Sequence, residues 1–134
     1  MTSDQLVWTF EKTVPIPVSD IEKILFDIRQ GSFQTGNLPF LLRDKSDCKI
    51  ELVNSTYMVV FNDGHKEYIT PDAVGHQLTI KGEWWYKGVY SFEKEGVGTR
   101  IQLNVFNAAQ RYRWVASLMM LSDKRCMQVI LRYL

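Results

Sequence analysis

From Cys48 to Asn107 the apolar residues recur at every second position, with turn chemistry at intervals. A chain patterned this way buries one side of itself by pairing strands into an antiparallel sheet. Lys49-Ile50-Glu51-Leu52 alternates, Asn54-Ser55 turns the chain, and Thr56 to Phe61 reads as the next strand. Asp63-Gly64 is a two-residue hairpin signal. Folding on it pairs Val59 with Tyr68 and Val60 with Glu67. One face then carries Tyr57, Val59, Phe61 and Tyr68; the other carries Met58, Val60, Glu67 and Ile69. The aromatic-rich face is assigned to the interior, which places Glu67 outside. In His76–Glu95, Leu78, Ile80, Trp84 and Tyr86 share a face, and Gly82 and Gly88 mark where so long a strand bends, bulges or breaks. Gly96-Val97-Gly98 leads to a last strand over Thr99–Asn107.

The two ends of the chain read differently. Leu6–Val14 is a strand with Trp8, Phe10 and Val14 on one face, ended by Pro15 and Pro17. Ser19-Asp20-Ile21-Glu22 fits a capping box, and Ile21, Ile24, Leu25 and Ile28 follow at helical spacing until Gly31. Gly31–Arg43 is irregular yet carries Phe33, Leu38, Phe40, Leu41 and Leu42, too many apolar groups for a solvent loop. It is expected to cover either the core or a pocket mouth. Arg111–Leu134 reads as one long helix, with Val115, Leu118, Met119, Cys126, Val129, Ile130 and Tyr133 on one stripe. At 1.5 Å per residue it would reach roughly 35 Å, the width of a small domain.

Composition narrows the function classes. The chain has 134 residues, 46% apolar, with a net charge of +1. That length suits a single domain, and no repeat, linker or low-complexity tract divides it. A basic stripe for nucleic acid is missing, and Arg111, Arg113, Lys124, Arg125 and Arg132 read as a solvated helix face. No apolar run approaches the ~18 residues that span a bilayer, and the N-terminus lacks a secretory pattern. Cys48 and Cys126 are read as free thiols of a reducing, cytoplasmic compartment, with a disulfide between them left open.

The element order, together with Phe10-Glu11-Lys12-Thr13-Val14-Pro15-Ile16-Pro17-Val18-Ser19-Asp20-Ile21, resembles the opening of the SRPBCC superfamily, the START-like and polyketide-cyclase-like proteins. Gly82-Glu83-Trp84-Trp85-Tyr86-Lys87-Gly88-Val89-Tyr90, Gly98-Thr99-Arg100 and Val105-Phe106-Asn107-Ala108-Ala109 resemble the late strands and strand-to-helix junction of a small bacterial branch. The resemblance implies an α+β helix-grip fold: one domain over residues 1–134, a curved antiparallel sheet wrapped around the long C-terminal helix, and a short helix after the first strand. It implies no shared catalytic residue, because the superfamily hosts carriers, sensors, cyclases and chaperone activators alike.

Candidate chemistry is sparse. His65 and His76 have no ligand partners at metal spacing, no nucleophile elbow or phosphate loop occurs, and no cofactor is expected. Glu67 and Asp72 are close enough in sequence for acid–base work, and equally read as a strand and a turn residue. Arg100 and Arg111 are read as exposed, with a ligand carboxylate at a pocket mouth as the alternative. Trp84, Tyr86, Tyr90, Trp114, Met119, Phe33 and Phe40 are the candidate pocket wall, with ordinary core packing as the competing account. The expectation is a non-catalytic binder or carrier of a small hydrophobic, lipid- or polyketide-like molecule. The alternatives are a cyclase or aromatase-type enzyme that moves a proton with Tyr86 or Glu67, and a protein-interaction module with a filled core. The sequence does not set the oligomeric state.

Overall fold

A computed structural model of the protein describes residues 4–42 and 45–109. It contains β1 (Gln5–Val14), helix α1 (Val18–Leu25), β2 (Gly31–Phe33), a 3-10 turn (Phe40–Leu42), β3 (Cys48–Val53), β4 (Thr56–Phe61), β5 (Lys66–Asp72), β6 (Gln77–Lys81), β7 (Tyr86–Glu95) and β8 (Gly98–Asn107). All the strands join one eight-stranded sheet in the order β1-β8-β7-β6-β5-β4-β3-β2, and every neighbouring pair is antiparallel. The chain therefore meanders from β2 to β8, and β1 returns to cover the free side of β8.

This corrects the helix-grip expectation. The described residues form a broad antiparallel sheet with one short α-helix, and no long helix lies in the grip of the sheet among them. They do not carry the α+β, START-like description. Two features enlarge the sheet beyond the expectation. Gly31–Phe33, read as irregular, pairs with β3 as an edge strand. His76–Glu95 breaks at Gly82 into two full strands. The expected helix over Arg111–Leu134, and with it Arg111, Trp114, Met119 and Cys126, lies outside the described residues.

The β4–β5 register also differs, by one residue. The Phe61 amide donates to the His65 carbonyl at 2.9 Å, and the Gly64 amide donates to the Phe61 carbonyl at 2.9 Å. Asn62-Asp63-Gly64 is thus a three-residue loop, a tight turn followed by Gly64 at φ 88°. Val59 then faces Glu67, and Tyr57 faces Ile69. Because side chains alternate, a slip of one position moves every residue of β5 to the other face. Glu67 and Ile69 turn inward, and Tyr68 turns outward.

The inner face is the one α1 packs against. Val14, Ile50, Val59, Ile69, Leu78, Tyr90, Ile101, Leu103 and Val105 lie on it, each 2% exposed or less. Ile21 and Leu25 of α1 and Leu41 and Leu42 of the 3-10 turn join the same cluster. The capping box does not form: the helix starts at Val18 after Pro17, with no side-chain cap. Glu22 instead reaches His76, with its Oε1 2.5 Å from Nδ1, tying α1 to the start of β6. Among the described residues no helix is long and apolar enough to cross a membrane.

Candidate functional site on the inner face

Among the polar side chains on this mostly apolar face are Glu67, Tyr86 and Tyr90, with buried Asn107 opposite Tyr86. Glu67 enters through the register of the 62–64 loop and keeps only 13% of its side chain exposed. Its described ionic partner is Lys45, whose Nζ lies 3.4 Å from Oε1 and which is itself half-exposed at the rim. Tyr86 and Tyr90 project from β7 on either side of Gly88. A methyl group built at Gly88 would stand 2.5 Å from the Tyr86 hydroxyl oxygen and 3.0 Å from its Cζ. The Tyr86 ring tip therefore lies across Gly88, carrying its hydroxyl along the strand toward Tyr90. Gly88 is a seat for an aromatic ring rather than a bend, since only a residue without a side chain lets the ring lie down.

The electrostatics of these groups are linked. Burial pushes the Tyr86 hydroxyl well above its usual pKa, and the Glu67 charge adds to the rise. Tyr90, 1% exposed, is raised by burial first, then by Tyr86 and by Glu67. Burial likewise raises the Cys48 thiol, with Asp47 and Glu67 adding to it. Both phenols and the thiol are therefore held protonated at neutral pH. Neither tyrosine hydroxyl has a hydrogen-bond partner among the described residues. Leaving a buried hydroxyl without a partner costs about 1–3 kcal/mol.

The other expected site residues are scattered. Phe33 stands opposite Cys48 on β2, half-buried, and half-buried Phe40 opens the 3-10 turn. Trp84 does not share a strand face with Leu78 and Ile80: β6 ends at Lys81, and Trp84 sits 36% exposed in the connection to β7. Its neighbour Trp85 packs on the cluster and meets the Tyr86 ring edge-on, with centroids 5.6 Å apart. Trp114 and Met119 lie outside the described residues. Asp72 caps the Gly75 amide at 3.0 Å in an exposed turn, so it does not join Glu67. Arg100 lies on the outer face, paired with Glu93 and, at 3.8 Å, with Glu11. Glu67, named in the sequence as an acid–base candidate, was assigned to the outer face because the slip that brings it inside depends on loop length alone. Both Asp63-Gly64 pairings leave apolar residues on each side, so the pattern does not choose between them.

A separate groove of ≈ 350 Å³ runs past Pro17, Val18, His76, Phe92, Glu93 and Val97. Its histidine is already engaged by Glu22, and its other charged lining residues, Glu93 and Lys94, are exposed. Among the described residues no group of three or more His, Cys, Asp or Glu is placed to hold a metal ion.

The fold defines an all-antiparallel meander closed at one edge by its first strand. No protein-family model matches the chain, and no curated protein matches it significantly. Among solved structures it is similar to the solution structure of Bacillus halodurans protein BH1534, a structural genomics target, with a TM-score of 0.54 and 12% identity. The match covers 95% of this chain and 93% of that one. At that identity the likeness is one of fold.

Proposed function

We propose that the inner face binds a small, largely apolar molecule without converting it, and that Tyr90, Tyr86 and Glu67 meet the molecule's polar part. The observation that carries this reading is the Tyr90 hydroxyl: enclosed at 1% exposure, with no hydrogen-bond partner among the described residues, on a mostly apolar face. A solid core would use Phe at such a position. A ligand site keeps a hydroxyl there, because the incoming group repays its desolvation. A cytoplasmic setting accompanies this reading, since Cys48 is a buried free thiol.

The test is a melting screen of lipid-sized alcohols, ketones, acids and aromatic polyketides, followed by mass spectrometry of the recovered ligand. A true ligand at 100 times its Kd stabilises the fold by about 2.7 kcal/mol. That moves Tm by on the order of 10 °C for a domain of this size. Binding should change Trp85 fluorescence through its contact with Tyr86. Gly88→Ala, which displaces the Tyr86 ring, should weaken the ligand. No saturable shift across the panel overturns the reading. A carboxylate on the same face as two protonated phenols could also serve acid–base chemistry, so chemical change in the recovered ligand would make this a proton-transfer enzyme instead.

A further inference from the structure

The outer face of the sheet carries opposite charges at its two ends. One cross-strand row runs Leu6, Phe106, Lys87, Lys81, Tyr68, Met58, each residue directly opposite the next. Lys66 on β5 and Lys49 on β3 lie one row beyond it, on either side of Val60. Lys81 and Lys87 thus face each other across β6 and β7, an arrangement that destabilises a sheet unless other charges answer it. Lys87 has Asp4, with Nζ 2.7 Å from Oδ2, but Lys66 and Lys81 have no acidic partner among the described residues. At the other end of the same strands the sign reverses. Glu11, Asp72, Glu93 and Glu95 are exposed there, and Arg100 answers Glu11 and Glu93. Glu95 and Asp72 are bonded to neutral groups, the Thr13 hydroxyl and the Gly75 amide. Between the two ends Thr70, Thr79, Val89 and Asn104 form a half-buried row without charge.

We infer that this face packs on the same face of a second copy of the chain, about a two-fold axis that crosses the strands along the uncharged row. Rotation about that axis lays the lysine end of each copy on the acidic end of the other, so both charged ends are answered together. An axis along the strands would set lysine on lysine, so the charge pattern selects one orientation. Sheets stacked face to face lie about 10 Å apart, a gap that a lysine and a glutamate reaching from opposite sides can close. A foreign polyanion would answer the lysines and leave the acidic end exposed, whereas a second copy uses both. Five strands, from β1 to β5 in sheet order, carry the two charged ends. At about 4.8 Å per strand and 3.3 Å per residue they frame a patch of roughly 25 Å by 20 Å. A patch of that size lies at the lower end of specific interfaces, so the dimer is weak and depends on its charges.

Analytical ultracentrifugation of the full chain, from about 5 to about 500 μM, reads the dimer in about 20 mM and about 500 mM salt. The wild type should dimerise, with a Kd that rises at least about tenfold between the two salt concentrations. Lys66→Glu with Lys81→Glu reverses one end of the face, and Glu93→Lys with Glu95→Lys reverses the other. Each double variant should be monomeric alone and melt close to the wild type, since the ion pair lost is an exposed one. An equal mixture of the two should associate again, to within about threefold of the wild-type Kd, because each reversed end then meets its opposite. If a double variant fails to fold, Lys81→Glu and Glu95→Lys are mixed in the same way. A wild type that stays monomeric throughout, a dimer indifferent to salt and to charge reversal, or a mixture that stays monomeric where the wild type dimerises overturns the inference. So does a monomer that sediments with phosphatidylglycerol vesicles or with an RNA oligonucleotide, which would assign the lysines to a foreign polyanion. None of these outcomes touches the ligand reading, which concerns the inner face.

Discussion

Ser55 shows how a single residue can hold a fold at some cost. Asn54 and Ser55 join β3 to β4 with φ of 50° and 67°. Both central residues of the turn are thus in the left-handed region, the geometry whose twist matches the flanking strands. Asn tolerates that region; Ser does not, because its Cβ crowds the following carbonyl by about 1–2 kcal/mol. Ser55→Gly should therefore stabilise the protein by about 0.5–1 kcal/mol, part of the relief being offset by glycine's greater freedom when unfolded. Urea titration reads this as a higher midpoint with an unchanged slope. A lower midpoint would mean that the Ser55 side chain makes an interaction worth more than the strain. The turn itself was legible: Asn-Ser between two alternating runs signals a tight reversal, and the structure places a two-residue reversal there.

At the scale of elements, alternation was readable and register was not. β1, β3, β4 and β8 fall close to where the period of two places them, and β1 turns Trp8, Phe10 and Val14 inward as the pattern says. The β4–β5 hairpin shows the limit. A loop one residue longer than Asp63-Gly64 suggests leaves the strands intact and reverses every side chain of β5, which decides whether Glu67 is a surface charge or part of the site. The helix makes a similar point through burial. Ile21, Ile24, Leu25 and Ile28 look equivalent in sequence, but Ile21 and Leu25 are fully buried while Ile24 is 39% exposed. Ile21→Ala should cost about 2–5 kcal/mol, whereas Ile24→Ala should stay within about 1 kcal/mol. Equal losses would show that α1 sits rotated about its axis, with Ile24 turned toward the sheet.

For the molecule as a whole, the helix-grip expectation rested on the order of elements and the SRPBCC resemblance, whereas the described residues form a broad antiparallel sheet with one short α-helix. Once β2 pairs with β3 and His76–Glu95 divides at Gly82, the sheet alone organises the described residues. Tyr86 and Tyr90 were legible as pocket candidates because aromatic residues at i and i+4 on a strand share a face. Their coupling to Glu67 was not, since it arises across strands. That coupling has a consequence for global stability in alkali. Both phenols have folded pKa values raised above the ordinary 10.0, chiefly by burial. Below pH 10 the two states bind the same phenolic protons, and the stability contribution is complete. Above it the unfolded chain loses its protons first, so ionisation favours unfolding and stability falls as pH rises. Each such tyrosine removes about 1.4 kcal/mol by pH 11 if its folded form stays protonated. Urea titrations at pH 8 and pH 11 should therefore show Tyr90→Phe losing about 1.4 kcal/mol less than the wild type. Phenolate absorbance in the native protein should stay low for Tyr86 and Tyr90 until the fold opens. If Tyr90→Phe and the wild type lose the same amount, the Tyr90 hydroxyl ionises as freely folded as unfolded, and the enclosed donor on which the proposed binding role depends does not exist.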